Sequence, residues 1–174
     1  MTAAVRILGI DPGSRVTGWG IVDSAGPTTR HVASGCIRTE GAELAPRLRM
    51  IHEAVTALVS QYQPAELAIE RVFMHRNADS ALKLGQARAA AICATFGSPI
   101  SVHEYAARAV KQAIVGQGGA EKGQVAHMVR AILALAASPV ADEADALAVA
   151  LCHAHSRVLG ARLGSAARLR VVRR

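Results

Sequence analysis

The chain has 174 residues, of which 51% are hydrophobic and only 3% aromatic, and its 20 Lys plus Arg outnumber 13 Asp plus Glu to give a formal charge of +7. A chain of this length buries about 70% of its unfolded surface and needs no disulfide or metal staple to fold, and it holds no run of about 18 apolar residues to span a membrane. The basic balance favours a polyanionic partner, nucleic acid foremost.

Residues 5–11 read as a first strand, an apolar run that ends on Asp11 and is stopped by Pro12-Gly13. Val16 to Asp23 reads as a second strand, and His31 to Arg38, beyond the Gly26-Pro27 turn, as a third. Short links between three successive strands predict an antiparallel meander. Leu44, Leu48, Ile51, Val55, Leu58 and Val59 recur at helical spacing, and Pro64 closes that helix. Leu67-Ala68-Ile69-Glu70 is a fourth strand that again ends on an acid.

Asn77 or Asp79 is placed to cap a helix running to about Phe96. Ile100-Ser101-Val102 is a short fifth strand, Tyr105 to Val115 a helix, and Gly116-Gln117-Gly118-Gly119 a break. Glu121 to Ala136 and Asp142 to Leu159 are the last two helices. Residues 157–174 carry six arginines and no acid, which predicts a mobile basic tail. The expected organisation is a single α/β domain over residues 1–159, a mixed five-stranded sheet flanked by helices, followed by a flexible tail over 160–174. Open sheets of this kind bind ligands beyond their strand ends.

Cys36, Cys93 and Cys152 are odd in number and lack C-x-x-C spacing, which fits free thiols in a reducing cytosol. No cationic start followed by an apolar run and cleavage site marks a signal peptide. Cys152-His153-Ala154-His155 reads as a small buried thiol with helix-surface histidines rather than a zinc site, because the usual spacing and a fourth ligand are missing.

Four acids carry the chemical argument. Asp11 and Glu70 end apolar strands, where capping does not explain them. Asp142 and Asp145 share a helix face, and that pair alone reads first as an N-cap and first-turn acid stabilised by the helix dipole. Glu143 points elsewhere on the helix. If all four meet, they repel and raise one another's pKa. Hard oxygen ligands suit Mg²⁺ or Mn²⁺, and two such ions can serve phosphodiester hydrolysis.

Several of these stretches together are similar to RuvC-type Holliday-junction resolvases. They are residues 8–18 (LGIDPGSRVTG), 68–73 (AIERVF), 77–88 (NADSALKLGQAR), 104–108 (EYAAR), 120–122 (AEK) and 142–148 (DEADALA). The resemblance spans about residues 5–155 in order. It implies a ribonuclease H-like fold, a homodimer, and Mg²⁺-dependent endonuclease action on four-way DNA junctions in recombination and repair, with paired symmetric nicks, one per subunit. Mn²⁺ would substitute, and two ions per site would act during catalysis. It also implies a branch-migration motor partner of the RuvA and RuvB type, a preference for T-containing sequences, and metal-binding and catalytic roles for Asp11, Glu70, Asp142 and Asp145. For Asp145 the alternative to direct ligation is orienting water.

Phe73, in a polar basic loop after Glu70, is an aromatic that either folds back on the core or unstacks DNA; the resemblance favours DNA. Met74 shares either role, and Arg76 would neutralise phosphate. Lys111 and Lys122 flank the glycine break, and exposed glycine amides beside lysines form a phosphate cradle. Singly, each lysine reads as a solvated charge; the resemblance assigns both to DNA-backbone binding. Ala78, Ala81, Gly85 and Ala89 form a small-residue stripe, for the protein's own sheet or for a second copy. Two other functions fit parts of the pattern: an actin- or sugar-kinase-type ATP-binding domain, whose first phosphate loop also pairs Asp with Gly after a strand, and a non-catalytic junction-binding protein.

Overall fold

A computed structural model describes residues 3–71 and 77–171, with side chains through residue 160. Five strands, β1 (Val5–Asp11), β2 (Val16–Ala25), β3 (Thr28–Arg38), β4 (Glu66–Glu70) and β5 (Ser101–Tyr105), alternate with helices α1 (Leu44–Tyr62), α2 (Ala78–Cys93), α3 (Ala107–Val115), α4 (Lys122–Ile132) and α5 (Ala141–Val171). They form one mixed sheet in the order β3-β2-β1-β4-β5. The first three strands are the antiparallel meander expected from their short links, while β4 runs parallel to β1 and β5 parallel to β4.

The middle of the central strand, Ile7 to Ile10, is apolar and buried because both its faces are covered. On one face, Leu8 and Ile10 join Ile21, Leu67 and Ile69 under Ile51 and Val55 of α1 and Ala87 and Ala91 of α2. On the other, Ile7, Val22 and Ala68 pack against α5. Residues 146–154 of α5 are all buried. A helix apolar on every side belongs inside a protein, and here the sheet lies under it while Val110 and Ile114 of α3 and Val125 and Val129 of α4 cover it.

The helix reaches the sheet so closely because two strand positions lack a side chain. A Cβ at Gly9 would stand 2.2 Å from the Ala146 carbonyl oxygen, and one at Gly18 would stand 1.8 Å from that of Asp142. Thus β1 and β2 accept the backbone of α5 directly, which fixes the height of its first turns over the sheet.

Several boundaries differ from expectation: β3 starts at Thr28 rather than His31, and α2 ends at Cys93 rather than near Phe96. Tyr105 ends β5 instead of opening the next helix. Helix α4 stops at Ile132 rather than Ala136, where Arg130 folds back to donate to the Leu135 and Ala136 carbonyls, each at 3.3 Å. Helix α5 continues past Leu159 to Val171, because Ala, Leu and Arg are good helix formers and isolated Gly160 and Gly164 cost only about 1 kcal/mol each.

Candidate active site at the ends of β1 and β4

The parallel register sets Ile10 of β1 opposite Ile69 of β4, so the next residues, Asp11 and Glu70, leave the sheet side by side. Helix α5 brings Asp145 over them. These three carboxylates line one cleft of about 230 Å³ with Lys111 of α3 and Lys122 of α4, over apolar Val110, Val125 and Ala148. Asp142, in the first turn of α5, is not among the residues lining the cleft, but its charge acts on Asp11.

The turn after Asp11 is held from three sides. Thr17 donates its hydroxyl to the Gly13 carbonyl at 2.7 Å, Thr39 donates to that of Ser14 at 2.8 Å, and the buried Arg47 guanidinium also donates to Ser14 at 3.3 Å. The end of β4 is fixed by Arg88 of α2, which donates to the Glu70 carbonyl at 3.2 Å and pairs with Glu104 of β5. Both acids therefore stand on clamped backbone, as a preorganised site requires.

Burial is the main reason the Asp11 carboxyl is pushed up to about 7, followed by the negative charges of Asp145, Glu70 and Asp142, with Lys122 opposing them. Glu70 is raised too, first by burial and then by Asp145, against Lys122 and Lys111. The Lys122 ammonium sits 3.1 Å from Asp145 Oδ2 with its side chain 78% exposed. In so much solvent the pair contributes little stability by itself, and the cleft keeps an excess of negative charge. All four acid side chains offer hard oxygen donors, the set that takes Mg²⁺ or Mn²⁺ and not a soft metal. The residues fit a divalent ion on this chemistry. Repulsion opposes closer approach of bare carboxylates; among the described residues, the group of three possible ligands whose atoms all lie within 4.8 Å of one another is elsewhere, at Glu66, His103 and His153.

The capping expectation for Asp142 needs correction. Helix α5 begins at Ala141, and Glu143 reaches back so that its Oε2 accepts the Val140 amide at 3.2 Å. Its Oε1 accepts the Ser34 hydroxyl of β3 at 2.6 Å, and that hydroxyl lies 2.7 Å from His31 Nε2. Glu143 thus ties the start of α5 to β3 and leaves Asp142 free of that duty. A second correction concerns His153: it is not on the helix surface but 3% exposed.

Phe73, Met74 and Arg76 lie outside the described residues. In α2 the side facing the core is Ala87 and Ala91, whereas Ala78 and Ala89 are exposed and a Cβ at Gly85 would meet nothing within 4 Å. The small-residue stripe faces away from the sheet. A larger cavity of about 620 Å³ between the C-terminal ends of α1 and α2, bounded by Val59, Pro64, Ala94, Pro99 and Ile100, contains no ionisable side chain, so the chemistry belongs to the smaller cleft. None of the helices described is long and apolar enough to cross a membrane.

Comparison with known proteins bears on the chain and its fold. Residues 7–153 match the family described as crossover junction endodeoxyribonuclease RuvC. A relative of that name from Hahella chejuensis is 58% identical over 161 residues, 92% of this chain and 94% of its own length. The structure of Thermus thermophilus RuvC superposes with a TM-score of 0.81 at 36% identity, covering 90% of this chain and 97% of that one. The same protein solved in complex with a Holliday junction substrate gives 0.84, again at 36% identity, covering 90% and 96%. The mixed sheet and its helices are those of the ribonuclease H-like resolvases.

Proposed function

Since the chain belongs to the crossover junction endodeoxyribonuclease RuvC family, we propose that it resolves four-way DNA junctions by hydrolysing one phosphodiester per subunit at the Asp11–Glu70–Asp145 cleft. The observation that carries this reading is the convergence of those three carboxylates, with Asp142 acting on them, at the ends of two adjacent parallel strands. A concentration of negative charge is costly beside DNA unless cations neutralise it. Asp11, Glu70, Asp142 and Asp145 would hold divalent ions, Mg²⁺ or Mn²⁺, two per site during catalysis. Such ions, when bound, supply Lewis acidity and charge neutralisation for hydrolysis.

The chain's own residues do the rest. Asp11 and Glu70, held by the Thr17, Thr39, Arg47 and Arg88 contacts, keep the donor oxygens oriented. Lys111 and Lys122 present ammonium groups at the cleft wall and bind the phosphates flanking the scissile one, with Lys122 exchanging its Asp145 partner for DNA. Phe73, Met74 and Arg76 follow β4 in sequence and would contact the junction beside the site. The outward small-residue face of α2, with Leu82 69% exposed, is the surface for a second copy; a dimer presents two sites for two nicks. Cooperation with a branch-migration motor, and a cytoplasmic working place beside chromosomal DNA, complete the proposal.

The test is a labelled synthetic four-way junction incubated with the full chain in Mg²⁺ or EDTA. Paired nicks are expected in Mg²⁺ only, with none from Asp11→Asn. Cleavage in EDTA or by Asp11→Asn overturns the reading, and binding without any cleavage in Mg²⁺ returns the non-catalytic alternative. Measured on the same junction, Lys122→Ala should lower the slope of log affinity against log salt by about one; an unchanged slope removes the phosphate contact.

A further inference from the structure

A second polar cluster lies at the far end of the same sheet face, away from the carboxylate cleft. Glu66 opens β4, four residues before Glu70, and is paired with Ser101 of β5. His103 comes from β5 and His153 from α5, two turns beyond Asp145. One ligand atom from each of Glu66, His103 and His153 lies within 4.8 Å of the other two. The histidine rings stack with centroids 4.2 Å apart, His153 is 3% exposed, and the Glu66 side chain is 17% exposed.

The arrangement around these three is more than a salt bridge. His153 Nε2 stands 2.5 Å from Glu66 Oε2, while its other nitrogen, Nδ1, stands 2.6 Å from the Tyr105 hydroxyl. Arg157, one turn further along α5, pairs with the remaining oxygen of Glu66 and so turns Oε2 toward the imidazole. A metal-binding histidine needs such a partner on its free nitrogen to fix ring and tautomer, and Tyr105 supplies it.

We propose that Glu66, His103 and His153 form a binding site for a borderline transition metal of the Zn²⁺ class, separate from the carboxylate cleft. Two imidazoles and one carboxylate are a donor set that Zn²⁺ takes with a fourth position left to solvent, whereas Mg²⁺ prefers oxygen alone. On binding, His153 gives Nε2 to the metal and carries its proton on Nδ1, which donates to the Tyr105 oxygen. The metal would join β4, β5 and α5, the elements whose other ends carry Glu70 and Asp145. The neighbouring Arg157 charge keeps the affinity moderate.

The experiment uses the full chain carrying Asp11→Asn and Glu70→Gln, which removes the carboxylate cleft from the count. Zn²⁺ is titrated against a chromophoric chelator, and Co²⁺ is used as a spectroscopic probe. One Zn²⁺ per chain is expected, a visible Co²⁺ absorption with nitrogen ligands, and a rise in melting temperature with Zn²⁺. His103→Ala should weaken binding at least ten-fold and abolish the rise, and His103→Gln, which keeps a polar side chain of similar reach, should do the same. No stoichiometric binding in the Asp11→Asn, Glu70→Gln chain, or affinity unchanged in a folded His103 variant, overturns the proposal.

Discussion

Gly18 of β2 lies directly under the Asp142 carbonyl of α5, so close that a Cβ there would stand 1.8 Å from its oxygen. The bare backbone of one strand thereby sets where the first turn of the helix rests, and with it the position of two of the four acids. Gly18→Ala must push that turn outward. Overpacking of this kind costs about 1–3 kcal/mol, and a misplacement near 1 Å at a reacting centre costs about 10²-fold in rate. Cleavage should therefore fall by far more than the modest lowering of the melting temperature, measured by junction assay and thermal unfolding together. Full activity in Gly18→Ala would show that α5 does not rely on this contact.

Asp142 and its neighbour Glu143 should respond in opposite ways. Glu143 accepts the Val140 amide just before the helix and the Ser34 hydroxyl, so Glu143→Ala should destabilise by about 1–3 kcal/mol, the net worth of two hydrogen bonds. Asp142 is one of the charges that oppose ionisation of Asp11. Asp142→Asn should abolish cleavage yet hold or raise the melting temperature in EDTA. A large fall for Asp142→Asn would assign it a structural role after all.

The pH dependence has a definite sign. The Asp11 carboxyl titrates at about 7 in the folded chain and near 3.9 when unfolded. Between those values the folded state holds a proton that the unfolded state has released, so metal-free stability falls as pH rises from about 4 to about 7. Three pKa units set an upper bound of about 4 kcal/mol on this one group. The raised Glu70 adds in the same sense, while the lowered Asp23 and Glu66 act oppositely at more acid pH and the lowered His153 acts oppositely just below its ordinary 6.5. Denaturant unfolding of wild type and Asp11→Asn in EDTA isolates the Asp11 share. The wild-type stability should decline more steeply over this range, and parallel curves would refute the coupling.

Gly85 offers a test of assembly. Open space surrounds the position of its missing Cβ, so Gly85→Leu should fold as well as wild type and gain helix propensity. If α2 carries the dimer, light scattering will report a monomer; an intact dimer moves the interface to another face.

How much of this was readable in advance follows from range. Asp11 and Glu70 announced themselves because each ends an apolar run, and the alternation that makes a strand also says where it stops. That they sit side by side depends on the parallel pairing of β1 with β4, which no local pattern specifies. Glu143 was misjudged because its partner Ser34 is 109 residues away. His153 looked like a surface residue beside His155 because the neighbours that bury it, from β4 and β5, are distant in sequence. The need for glycine at 9 and 18 comes from the α5 backbone above them, which no pattern within β1 or β2 announces.

The central claim is that the carboxylate cleft is a divalent-cation site. Titration of Mn²⁺ into the full chain, followed calorimetrically, tests it most directly. Wild type should bind Mn²⁺, and Asp11→Asn and Glu70→Gln should each weaken that binding at least ten-fold while leaving the fold intact. Mn²⁺ bound equally well by both variants would contradict the account.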